Sequence, residues 1–335
     1  MNKLGVICNN FGAHYDGIGD YSSIVYLNFS SKTSVKIYTA KCNRHSPLKR
    51  IANLGMTKAI CSSFPDIVFK RIDKIIIEYP FIEWNPLIAL AFVSLKLLTI
   101  FFNVELLSSI HEFKRVNPLR KIITVFLVIL SNRVFITSYE NKVLLEKFNP
   151  NTIKIEIPSN IRICENAIKK NDFVYFGLVN PSKAFKEMIL GWNIFNNSGQ
   201  YNFYILTASE IKDLSNYKNV NVFVNADENV VSQIMASCKF TVLPIRPEVD
   251  EKNGTFKTSC IAGNIAVGHF CNQYRKLPFI IEMNNYKVQS FVESFQQCIK
   301  LGENDIKNKE NLAKKFGEKF NPIFASQNLE NLIFK

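Results

Sequence analysis

No two of the eight cysteines lie at Cys-x-x-Cys spacing, and the four histidines form no cluster with them. That excludes the ligand pattern of a structural zinc site and gives no sign of a disulfide framework, so neither metal nor cofactor is expected. Several cysteines sit inside apolar runs, where a thiol behaves as a small buried hydrophobe, and a reducing cytoplasm fits best. The three-glycine dinucleotide fingerprint is missing. No apolar run reaches the roughly 20 residues of a spanning helix. Met1-Asn2-Lys3-Leu4 leads into a short apolar stretch, so no secretory leader is expected. No recognised nucleic-acid motif or focused basic helix is present, so nucleic acid is not expected as a partner.

Acidic residues are also scarce relative to basic ones. The net charge is +13, and residues 1–165 carry 21 Lys/Arg against 12 Asp/Glu, whereas the remainder carries 20 against 16. A basic half points to a polyanionic partner: nucleic acid, which charge alone suggests, a phosphorylated ligand or an anionic membrane surface. With 335 residues and 47% hydrophobic content, the chain is long enough for two domains with sizeable cores.

Short β-rich runs alternate with helical stretches. Strand candidates are 4–10, 35–40, 74–79, 104–110, 134–137 and 154–157, then 173–176, 203–206, 220–224, 240–243 and 265–267. Near-continuous Val/Ile/Phe runs read as strands buried on both faces of parallel sheets. The rhythm restarts after a polar interval at 162–172. The expected fold is α/β: two Rossmann-like doubly wound domains, 1–162 and 170–320, facing a cleft, with a C-terminal helix at 321–335 returning to the first. Ligands in such sheets bind beyond the carboxyl ends of the strands.

Two stretches, 86–102 and 119–130, are strongly apolar. They read as helices packed on a sheet. A second reading is partial contact with a membrane surface, because Lys114, Arg115, Arg120, Lys121 and Arg133 flank the second stretch.

Several loops carry candidate chemistry. After the first strand, Gly17 and Gly19 precede a helical pattern; they suit a tight turn and a phosphate loop about equally. His111 follows the 104–110 strand, where it faces the ligand crevice or packs at the strand end. Lys183 stands at the mouth of a helix beginning near residue 184, as a phosphate-binding point charge or a solvated lysine. Arg246 lies in the loop after strand 240–243, and Lys252-Asn253-Gly254-Thr255 opens a further helix, whose backbone donors suit a diphosphate.

Together these pieces resemble the GT-B-fold glycosyltransferases, in particular retaining family 4 with its group 1 transferase domain, of the type that builds bacterial polysaccharides. Gly17-Ile18-Gly19-Asp20-Tyr21 resembles that family's Gly-Gly-Ile-Gly loop. Ile77-Glu78-Tyr79-Pro80, Asn85-Pro86 and Ile110-His111-Glu112-Phe113 are similar to its first domain, and Ile157-Pro158-Ser159-Asn160 to the exit from it. Tyr175-Phe176-Gly177 through Lys183-Ala184-Phe185 resembles its phosphate element, and Val242-Leu243-Pro244 through 263–267 its donor segment.

The resemblance implies metal-independent transfer of a sugar, of hexosyl type, from a nucleotide-sugar to a lipid-linked or growing surface glycan, at or near the inner membrane face. It implies that His111 contacts the transferred sugar near the reacting centre, with Asp20 and Glu112 on the acceptor side. Gly17, Gly19, Lys183, Arg246, Lys252, Gly254, Thr255 and Thr258 would serve the donor and its phosphates. The family often places two Glu in the donor segment; here Asp250 and Thr258 stand at those positions, and Asn180 stands where an Arg usually precedes the phosphate Lys. The missing ribose Glu motivates a rival reading, a catalytically impaired glycan- or partner-binding subunit.

Overall fold

The computed structural model describes residues 1–335 apart from 13–16, 42–52, 83–84, 115, 165–166, 212–213 and 215. Two compact units emerge: Met1–Ile157 together with Pro322–Lys335, and Pro158–Asn321.

The first unit is built on six parallel strands: β1 (Asn2–Asn9), β2 (Thr33–Ala40), β3 (Lys74–Tyr79), β4 (Glu105–Ile110), β5 (Arg133–Ile136) and β6 (Thr152–Lys154). Their order is β2-β1-β3-β4-β5-β6. In β3 the consecutive residues Ile75, Ile76 and Ile77 are all fully buried, as only a sheet covered on both faces requires. Ile75 and Ile77 join the core beneath the Gly55–Ser62, Pro86–Phe101 and Pro118–Leu130 helices. Ile76 faces the opposite layer, formed by the Gly17–Tyr26 and Pro322–Phe334 helices. Asn85 and Asn117 cap the two apolar helices, accepting from the Ile88 and Arg120 amides.

Polar contacts tie the C-terminal helix to this unit. The Glu330 carboxylate accepts from the Ser30 amide and hydroxyl, at 2.9 and 2.6 Å, and from the Thr33 hydroxyl. Arg133 grips Glu105 and donates to the carbonyls of Leu332 and Ile333.

The second unit repeats the plan with β7 (Lys170–Phe176), β8 (Phe203–Thr207), β9 (Val220–Val224), β10 (Cys238–Leu243), β11 (Ile265–Gly268) and β12 (Ile280–Glu282), in the order β12-β11-β10-β7-β8-β9. Trp192 is completely buried among Phe173, Phe203 and Phe295, with ring centroids 5.0–5.6 Å apart. Strand β12 was not expected from the sequence: three residues soon after Pro278 are too short for a visible run. The polar stretch after Ile157 is docked on this unit. Ile161 and Ile163 pack against Val174 and Leu206, and the Cys164 amide donates to the Ser232 hydroxyl at 2.7 Å.

Candidate functional site

In the first unit, β3 and β4 run parallel with Glu78 opposite Ser109. Side chains alternate along a strand, so His111, two residues beyond Ser109, returns to the same face. This is the face covered by the Gly17–Tyr26 helix, whose Tyr21 and Tyr26 join a core with Ile76 and Leu107. A polar group therefore forms inside an apolar layer. His111 Nε2 lies 2.6 Å from Glu78 Oε2 and 3.3 Å from Ser109 Oγ. The Tyr26 hydroxyl donates to Glu78 Oε1. Tyr21 meets the His111 ring edge-on, with centroids 4.6 Å apart. Glu78 is fully buried, whereas the His111 side chain keeps 10% exposure.

Burial, then the Glu78 charge, pushes the Tyr21 and Tyr26 phenols well above their ordinary value; Ser109 offsets this in part for Tyr21. Both stay protonated across the physiological range, and Tyr26 acts here as a donor. The His111 backbone is held as well. Its amide donates to the Tyr79 carbonyl at 2.9 Å, and Thr137 donates to its carbonyl at 3.3 Å.

The two loop glycines differ in kind. A Cβ at Gly19 would lie 2.1 Å from the Asn10 carbonyl oxygen, so the close approach of loop and strand demands glycine. At Gly17 nothing lies within 4 Å. The Gly12 amide closes the turn on the Gly19 carbonyl at 3.0 Å. Asp20 and Glu112 are both partly buried, and the Asp20 carbonyl accepts from Ser23.

In the second unit, neighbouring strands β7 and β10 bring their carboxyl ends side by side. Gly177, at φ +137°, turns the chain after β7, and the Thr255 hydroxyl donates to the Phe176 carbonyl at 2.9 Å. This seats the start of the Gly254–Ala262 helix against the end of β7. Asn253 caps that helix at the Phe256 amide, 2.8 Å away, while the position of a Cβ at Gly254 is open. After β10 the chain pairs with the loop carrying Lys183. The Ala184 amide donates to the Pro244 carbonyl at 2.8 Å, and the Arg246 amide to the Ser182 carbonyl at 2.9 Å. Lys183 and Arg246 thus stand together at this rim.

Their charges are deployed differently. Arg246 is 2.9 Å from Glu187 and lies over the Tyr286 ring. Lys183 is partly buried, and burial pushes its ammonium below the ordinary lysine value. Among the described residues no carboxylate lies within 4.0 Å of it. Lys252 is partly buried, with its amide on Asp250 at 3.0 Å.

Thr258 is fully buried, and its hydroxyl is 2.8 Å from that of Ser159 and 3.0 Å from the Gly254 carbonyl. As placed, it offers no exposed atom to a ligand. The structure brings His111 to the Gly17–Tyr26 helix in one unit, and Lys183, Arg246, Gly254 and Thr255 to adjoining strand ends in the other. Glu78 and Ser109 were not singled out as site residues in the sequence. The available signal was a carboxylate closing the apolar run 75–77, since an ionised group inside a buried strand requires a partner. Among the described residues, no group of three or more His, Cys, Asp or Glu is placed to hold a metal ion.

Neither protein-family models nor curated protein sequences match this chain. Solved structures do resemble it. The Anabaena protein Alr3699/HepE, solved in complex with UDP, is 11% identical over 100% of both chains, with a TM-score of 0.65. A glycosyltransferase from Rickettsia africae is 10% identical over 99% of this chain and 97% of its own, with a TM-score of 0.64. An α-glucosyltransferase, solved with UDP and a 13-mer DNA containing an HMU base, is 12% identical over 99% of both chains, with a TM-score of 0.63. At such identities the likeness establishes the fold: two six-stranded parallel sheets with flanking helices, the GT-B architecture of these glycosyltransferases.

Proposed function

We propose that this chain is a retaining glycosyltransferase of hexosyl type, moving a sugar from a nucleotide diphosphate-sugar to an acceptor without a metal. The observation that carries this reading is the Lys183 ammonium: partly withdrawn from water, without a carboxylate partner among the described residues, and beside a helix start. Such a cation is poised for an anion brought by a ligand. In this reading Lys183 and Arg246 neutralise the departing diphosphate as the bond to the anomeric carbon breaks. The amides of Gly254 and Thr255 precede the capped Phe256 and contribute donors of the first helical turn. His111 contacts the transferred sugar. The UDP found in two of the similar structures supports a nucleotide donor.

For the acceptor we infer a lipid-linked or growing surface glycan, met at an anionic membrane face. In support, the Pro86–Phe101 helix exposes Leu87, Leu90, Leu97, Ile100 and Phe101, and the Pro118–Leu130 helix exposes Leu119, Ile122 and Ile129. No described helix is long and apolar enough to cross a membrane. The basic rim is thinner than the residue count suggested. Lys114 pairs with Glu140, Arg120 donates to the Ile82 carbonyl, Arg133 is committed to Glu105, and Arg115 lies outside the described residues.

A panel of UDP-, GDP- and ADP-sugars tests the reading, because slow donor hydrolysis requires no known acceptor. One donor is expected to release nucleotide and to raise the melting temperature, since a ligand at about 100 times its Kd stabilises by about 2.7 kcal/mol. Neither hydrolysis nor a thermal shift with any donor would overturn it in favour of a non-catalytic binding subunit. Lipid-linked glycans and DNA duplexes form the acceptor arms, and transfer to DNA alone would overturn the glycan acceptor.

A further inference from the structure

We propose that Glu78 is the positioning residue of His111: its carboxylate holds the imidazole proton on Nε2 and presents Nδ1 as an acceptor to a hydroxyl of the bound sugar. Only the final clause rests on the glycosyl-transfer reading; the pairing rests on geometry. Glu78 is fully buried in β3 between Ile77 and Tyr79, where an unsatisfied carboxylate would be costly. Its two oxygens face different partners, Oε1 the Tyr26 hydroxyl and Oε2 the His111 Nε2 at 2.6 Å. A carboxylate only accepts, so the nitrogen opposite Oε2 carries the hydrogen. In the neutral ring that leaves the lone pair on Nδ1. Tyr21, packed edge-on, and the backbone bonds to Tyr79 and Thr137 hold the ring where the carboxylate places it.

Packing alone does not call for this pair. Apolar residues of the same shape commonly serve a core as well as a buried hydrogen-bonded pair does. What apolar residues cannot do is select a tautomer. The sequence shows Glu78 and His111 only as two residues 33 positions apart; the register of β3 on β4 makes them neighbours.

Two readouts test the proposal. In the proton spectrum of the full chain, a strongly downfield imidazole N–H is expected that vanishes in His111→Gln and in Glu78→Gln and persists in weakened form in Glu78→Asp. Absence of a resonance assigned this way in the folded wild type would overturn the pairing, whatever the chain catalyses. In donor hydrolysis, Glu78→Gln is expected to lower kcat by roughly 100-fold with little change in donor KM, because loss of a carboxylate partner to histidine can cost up to about 10⁴. Glu78→Asp is expected to recover part of that rate. An unchanged kcat in a folded Glu78→Gln variant would overturn the positioning role. Absence of hydrolysis by the wild type would count against the glycosyl-transfer reading and leave the resonance to decide the pairing.

Discussion

The hydroxyls of Ser159 and Thr258, 99 residues apart in sequence, lie 2.8 Å from each other in the interior of the second unit. The Ser159 amide also donates to the Phe320 carbonyl at 2.9 Å. The position at which the family resemblance places a ribose-binding carboxylate is thus a tie between the segment entering the unit and the Gly254–Ala262 helix. Thr258→Val is expected to cost about 1–2 kcal/mol of unfolding free energy, the usual result of orphaning a buried hydroxyl. Donor KM should stay the same. Denaturant unfolding read beside donor kinetics checks this, and a raised KM with unchanged stability would return Thr258 to the donor site.

Lys183 gives the opposite signature. Because the ammonium is partly desolvated and no carboxylate among the described residues compensates it, Lys183→Ala should leave the melting temperature of the unliganded protein unchanged or slightly raised. Donor hydrolysis should fall on the order of 10- to 100-fold, from loss of a charge-assisted hydrogen bond worth about 1.5–3 kcal/mol. The thermal shift given by nucleotide diphosphates should shrink with it. A variant that hydrolyses donor at the wild-type rate would remove Lys183 from the phosphate role.

Gly17 and Gly19 are separable by stability. Gly19→Ala forces a methyl into the Asn10 carbonyl and should destabilise the chain by about 2–4 kcal/mol. Gly17→Ala meets open space and should change stability by no more than about 0.5 kcal/mol. If Gly17 borders a ligand, donor hydrolysis falls in Gly17→Ala despite that intact stability. Calorimetry and kinetics on the two variants check the contrast.

Asp66 supplies a pH dependence. Lys36 Nζ at 2.6 Å and the Tyr38 hydroxyl at 2.7 Å bind its buried carboxylate, with Arg71 at 3.5 Å. The Lys36 hydrogen bond is the main cause of a pKa below the ordinary 3.8; burial opposes it, and Tyr38 and Arg71 add to the lowering. A depressed folded-state pKa means the stabilisation is present above the unfolded value and is lost as pH falls through the folded one. Asp66→Asn should therefore lower the melting temperature at neutral pH and flatten the acid limb below about pH 4. Equal slopes for both proteins in that limb would contradict this.

The exposed apolar stripes carry the membrane prediction. Leu90 and Leu97 are 61% and 52% exposed, so Leu90→Asp with Leu97→Asp should change the unfolding free energy by no more than about 1 kcal/mol. Sedimentation with anionic vesicles at low salt should drop markedly relative to wild type. Wild-type protein that stays in the supernatant would dismiss the membrane contact.

The apolar runs of the strands are legible in the sequence because burial on both faces leaves consecutive residues no polar choice, as Ile75–Ile77 show. The helix start at Asn253-Gly254 is legible for a similar reason, since capping is a local hydrogen bond between near neighbours. Strand β12 is not legible because three residues carry no periodicity. The burial of Thr258 is not legible, because exposure depends on what packs over a helix, which no local pattern records.

Two parallel α/β sheets, the glycine loop, the Lys183 and Gly254 helix mouths, and His111 at a strand end can be read from the residues alone. These follow from periodicity, turn chemistry and caps, all of which act within a few residues. Which of these groups have partners emerges only in the folded chain. Strand register placed Glu78 beneath His111, the rim of β7 and β10 gave Arg246 to Glu187 while leaving Lys183 without a carboxylate among the described residues, and helix packing enclosed Thr258. Charge pairing and burial depend on distances between segments far apart in the chain, and those distances exist only once the sheets have formed.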